Sequence, residues 1–117
     1  MKSLATITAS DIEIIKIALN DAISDINKEL KENVKERKRA ELLDYKNKYS
    51  KVYNKLRRNP SIYSLSETEL DITAGGLNDA IELLDEVLAS GELDDQDQEE
   101  TISARNDCYR LVELLAG

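Results

Sequence analysis

The sequence predicts an all-α protein: a four-helix bundle built from two tandem helical hairpins. Three observations carry that expectation. The hexamer ALNDAI at 18–23 returns at 76–81 as GLNDAI, an internal repeat at an offset of 58. Apolar residues recur three and four positions apart around both copies, the spacing of one helix face. Lys, Glu, Asp, Leu, Ile and Ala dominate the composition, with 4 Gly, 1 Pro and neither Phe nor Trp. At 41% apolar and 34% charged, the 117 residues hold enough apolar material for a single helical domain over 1–117. Its expected parts are a first hairpin over 10–59, a linker over 59–66 and a second hairpin over 67–116.

The first helix is expected to start at Ser10, where Ser10 and Glu13 have the spacing of a capping box. Its stripe runs Ile12, Ile15, Leu19, Ile23, Ile26, Leu30. The second helix carries a heptad seam of Leu42, Tyr45, Tyr49, Val52 and Leu56. It stops at Asn59-Pro60, because the residue before proline is pushed out of the helical region. Between these helices KELKENVKERKRA has no Gly or Pro, and only Asn33 with Glu36 suggests a new start. The alternative is one continuous helix of about 45 residues, some 70 Å long at the usual rise. The second hairpin breaks at the equivalent place, which favours the hairpin.

The third helix repeats the first. Thr68 and Asp71 stand where Ser10 and Glu13 do, ahead of Leu70, Thr73, Leu77, Ile81, Leu84 and Leu88. Gly75-Gly76 replaces Ile17-Ala18 in mid-helix, at a cost of about 0.5–1 kcal/mol each against Ala, which points to a close helix approach or a kink. Ser90-Gly91 ends this helix, and Asp94 or Asp95 caps the fourth, whose seam is Ala104, Cys108, Leu111 and Leu115. A hairpin with one apolar stripe per helix cannot cover itself, whereas two stacked hairpins can. If the first two helices did not fold back, two chains would complete each other as a domain-swapped dimer.

Charge divides the chain sharply. Residues 1–60 hold 14 Lys and Arg against 9 Asp and Glu (+5), and residues 61–117 hold 2 against 15 (−13), for a total of −8. The second helix is the basic one, and Tyr45, Tyr49 and Tyr53 alternate with its cations as in nucleic-acid stacking surfaces. Periodicity assigns Tyr45 and Tyr49 to the core instead and leaves Tyr53 off the seam. The overall acidity further disfavours nucleic acid as a partner. The cations are expected to pack on the acidic hairpin or remain solvated. The densest acidic run is Glu92, Asp94, Asp95, Asp97, Glu99 and Glu100, the candidate partner-binding residues. Its bland reading is capping and solubility at a helix start. Its functional reading is a surface that occupies a basic cleft of a partner protein by charge.

Catalytic and metal constellations are missing from the sequence. There is no His, no Gly-rich phosphate loop and no Cys pair, so neither an enzyme nor a bound cofactor is expected. DDQDQEETISARN lacks the turn glycine and acidic twelfth ligand of a calcium loop, and a helix-bundle di-metal site needs His. Cys108 lies on a seam and is expected to be buried. Asp21, Asp25 and Asp79 are expected on outward polar faces. SLATITAS is too polar for a signal peptide, and no run approaches the roughly 20 apolar residues of a membrane span. A cytoplasmic, soluble protein is expected.

TASDIEIIKIALNDAISDINKEL followed by a Lys-rich helix resembles small helical accessory proteins of Gram-positive bacteria and their phages. The resemblance covers the first 58 residues, rests on pattern and transfers no site. It implies a protein-binding accessory role, such as a phage-encoded inhibitor or an immunity protein, acting in the host cytoplasm if phage-encoded. In that role the bundle is expected to bind one partner protein, either as a monomer or as a homodimer. Two other classes stay open: an acidic nucleic-acid mimic of the anti-restriction or anti-CRISPR kind, and a structural phage subunit, such as a head–tail connector component, or a ring- or oligomer-forming subunit.

Overall fold

The computed structural model describes residues 4–116 and is all-α, a four-helix bundle. A 3-10 turn at Leu4–Thr6 precedes α1 (Ala9–Leu30) and α2 (Glu36–Arg58), and a second at Ile62–Ser64 precedes α3 (Glu67–Ala89) and α4 (Asp95–Ala116). Lys55 pairs with Glu69 and Tyr49 with Asp79, so α2 and α3 run antiparallel. Arg105 meets Asp85, which sets α4 antiparallel to α3. The direction therefore alternates along the chain, and α1 and α3 lie side by side and parallel. These two form the middle of the molecule, with α2 on one flank and α4 on the other. The result is a slab of 41 × 39 × 25 Å.

One core draws on all four helices. Ile12, Ile15, Leu19 and Ile26 of the first stripe are buried, as are Leu70, Thr73, Leu77 and Ile81 of the third. The stripe residues Ile23, Leu30, Leu84 and Leu88 are only half-buried. The small residues Ala18 and Ala22 of α1 and Ala74 and Ala80 of α3 are buried with them. A Cβ at Gly76 would lie 2.6 Å from Leu19 Cδ2, so Gly76 marks a close α1–α3 approach within one unbroken α3.

The chain folds back between α1 and α2, which removes the continuous-helix alternative. Neither Gly nor a left-handed residue is needed there, since Gly91 is the one positive-φ residue among those described. Arg39 Nη2 donates to the Leu30 carbonyl at 3.1 Å and so satisfies an otherwise unpaired C-terminal acceptor of α1. The stops at Asn59 and at Ser90-Gly91 are where the sequence puts them, with Gly91 at φ 68°.

The caps differ from the expectation by two residues in both hairpins. Thr8, not Ser10, caps α1: the Asp11 N–H donates to Thr8 Oγ1 at 3.1 Å, and the Thr8 N–H donates to Asp11 Oδ2 at 3.0 Å. Ser66, not Thr68, caps α3 through the matching pair of bonds with Glu69. These choices place the N3 carboxylate against a cation on another helix. Asp11 takes Arg110 at 2.7 Å and Glu69 takes Lys55 at 2.7 Å, whereas Glu13 pairs only locally with Lys16. The α2 start also departs from the Asn33 reading. Lys35 is its cap residue, without a side-chain cap bond.

Candidate functional site

A groove of about 510 Å³ lies between α1, α2 and α3. The faces of the three helices build it at helical spacing. Ala22, Asp25, Ile26 and Glu29 come from α1, and Lys38, Leu42, Tyr45 and Tyr49 from α2. From α3 come Gly75, Asn78, Asp79, Glu82, Leu83 and Glu86. The pairs Lys55–Glu69 and Tyr49–Asp79 tie α2 to α3 at the linker end. Along the α2 seam Leu42 and Tyr49 are buried, but Tyr45 between them is 51% exposed.

This corrects the reading of the tyrosines. Tyr45 is not a core residue; its ring stands 5.9 Å from that of Tyr49, and the Lys48 ammonium lies 5.5 Å from the Tyr45 ring centre. Tyr53, expected off the core, is half-buried against it. Asp79 is not outward either. It is half-buried and accepts from the Tyr49 hydroxyl at 2.7 Å, and burial followed by that bond pushes the Tyr49 phenol well above its ordinary range.

Apolar side chains (Ile26, Leu42 and Leu83) and the small Ala22 and Gly75 line the groove floor, and charge lines its walls. Asp25, Glu29, Asp79, Glu82 and Glu86 face a single cation, Lys38. The carboxylates are spread along the groove rather than convergent; among the described residues no three His, Cys, Asp or Glu gather closely enough for a metal ion. Its chemistry is that of holding a chain with apolar and cationic groups. A second, shallower groove of about 410 Å³ flanks the same α1–α3 seam and shares Asp25, Leu83 and Glu86 with the first. Desolvation raises Asp21 on its edge.

The six acidic candidates lie elsewhere. Glu92, Asp94, Asp95, Asp97, Glu99 and Glu100 are all exposed on the α3–α4 connection and the first turns of α4. Asp94 Oδ1 accepts from the Asp97 N–H at 2.8 Å, so Asp94 caps α4, and Glu100 accepts from Gln96 at 3.3 Å. None of the six lines either groove. The groove carboxylates escaped the sequence reading because they look like the polar faces of amphipathic helices. The one usable signal was an aromatic on a seam flanked by charge. Of the α2 cations, Lys55 reaches the acidic hairpin through Glu69, while Lys38, Lys46, Lys51, Arg57 and Arg58 make no ion pair among the described residues.

Cys108 is buried, and burial first, then Asp107 and Asp21, pushes its thiol up to about 11. Among the described residues no helix is long and apolar enough to cross a membrane. No protein-family model matches the chain, and neither a curated protein nor a solved structure matches it significantly.

Proposed function

We propose that this chain is a non-catalytic accessory protein of the inhibitor or immunity type, which acts by holding one partner protein in the α1–α2–α3 groove. The observation that carries the reading is the uncovered seam: Tyr45 stands exposed between buried Leu42 and Tyr49, over an apolar floor with carboxylate walls. An apolar face left open inside a charged rim is the usual form of a protein-binding surface. The test plugs the groove. Asn78 is exposed and lines it, so Asn78→Trp fills the space without entering the core. Tagged wild type and Asn78→Trp are compared by quantitative mass spectrometry of proteins captured from the native host. The expected result is one protein enriched by wild type and lost with Asn78→Trp. Equal capture of that protein by the plugged variant overturns the reading.

A second reading, the acidic nucleic-acid mimic, is favoured by one specific feature: the six exposed carboxylates at 92–100 take part in no ion pair among the described residues and so present uncompensated charge. Glu92→Lys/Asp95→Lys/Glu99→Lys leaves the Asp94 cap in place and separates the two readings. Loss of the partner in this variant, with a steep salt dependence, supports the mimic.

A further inference from the structure

The lining of the groove defines what chemistry completes it. This inference deepens the proposed function and rests on the groove being the binding site. The floor is aliphatic around Ile26, Leu42 and Leu83, so an occupant must bring apolar side chains to displace water from it. The walls carry five carboxylates against Lys38, so it must also bring cations. Along α3 the lining runs from Gly75 to Glu86, about 16 Å or three helical turns at the usual rise. Tyr45 is half exposed at the groove, and its ring already attracts one cation, the Lys48 ammonium 5.5 Å from its centre.

We infer that the groove receives a cationic amphipathic helix of about three turns from the partner protein. Its apolar ridge lies on Ile26, Leu42 and Leu83 and covers Tyr45. Its flanking Lys and Arg reach Asp25 and Glu29 on one wall and Glu82 and Glu86 on the other. A metal ion or a polyamine leaves the apolar floor wet, and a nucleic acid meets carboxylates where it needs cations. The α2 helix of this chain is itself basic and amphipathic, so a second copy is the competing occupant and is measured alongside.

The experiment is fluorescence anisotropy with a labelled synthetic 16-residue peptide, leucines on one helical face and lysines elsewhere. A scrambled peptide of the same composition and a version with Glu for Lys are the controls. Wild type is expected to bind the Lys/Leu helix, the scrambled peptide at least about tenfold more weakly and the Glu version not at all. Asn78→Trp and Glu82→Lys/Glu86→Lys, each shown folded by circular dichroism, should lose at least about tenfold, while Glu92→Lys/Glu99→Lys should stay within about twofold. Equal binding of the scrambled peptide, or undiminished binding by the groove variants, overturns the inference. So does groove-dependent self-association in sedimentation velocity without peptide, which assigns the groove to a second copy. If Asn78→Trp loses the host partner while the Lys/Leu peptide never binds, the groove survives as the site and the helical cationic occupant falls.

Discussion

The hydroxyl of Tyr49 donates to Asp79 Oδ2 at 2.7 Å and ties the basic helix α2 to the acidic helix α3. Both residues also line the groove, so this hydrogen bond braces its wall. Tyr49 itself is only 3% exposed. Tyr49→Phe should cost about 1 kcal/mol, the net worth of one hydrogen bond, and Tyr49→Ala about 3–5 kcal/mol through the cavity it leaves. The pH sign follows from the raised phenol. Its contribution is complete below about pH 10, the unfolded value, and declines as pH climbs above that, because only the unfolded chain ionises there. Ultraviolet titration should show one tyrosine that ionises only with unfolding, a step that Tyr49→Phe abolishes.

Neighbouring glycines should respond oppositely to alanine. At Gly76 a Cβ would crowd the fully buried Leu19 at 2.6 Å, and overpacking of about 1–3 kcal/mol outweighs a helix-propensity gain near 1 kcal/mol. At Gly75 the nearest atom is Tyr49 Oη at an ordinary 3.7 Å, so Gly75→Ala should stabilise by about 0.5–1 kcal/mol. Urea unfolding midpoints of the two variants should shift in opposite directions; a stabilised Gly76→Ala contradicts the close α1–α3 approach.

Acid should loosen the helix starts. The Arg110 bond first, and the capping bonds with Thr8, hold Asp11 below the usual carboxylate range, and Lys55 with Ser66 does the same for Glu69. Groups lowered in this way stabilise fully above about pH 4, their unfolded range, and their contribution disappears as pH falls through the lower native values. Asp11→Ala should cost about 1–2 kcal/mol at neutral pH, since it removes both the capping box and the link to α4. Its stability should also fall less steeply below pH 4 than that of wild type, measured by urea unfolding across pH.

The thiol of Cys108 should be silent in the native protein. It is buried, and its ionisation is pushed up to about 11, so the thiolate that reacts with disulfide reagents is scarce at pH 8. Labelling with a chromogenic disulfide should proceed only at the rate of unfolding and become fast in urea. Rapid native labelling contradicts its place on the α4 seam.

Much of this architecture is legible in local sequence. The period of Ile12–Leu30 and Leu70–Leu88 picks the buried face of α1 and α3, the bond before Pro60 ends α2, and Gly91 ends α3. Each depends on residues within a few positions of one another, so backbone sterics and helical spacing suffice. The tertiary contacts settled what local rules leave open. By local pattern Ser10 with Glu13 is the better box than Thr8 with Asp11, yet the second is the one formed, and Arg110, 99 positions beyond Asp11, bonds its carboxylate. Tyr45 and Tyr49 occupy one seam, but a seam is buried only as far as a neighbour follows it. Tyr45 stands outside, and Tyr49 lies within, bonded to Asp79 of α3. The groove is lined from three helices at once, and the spacing of residues along any single helix holds no record of it.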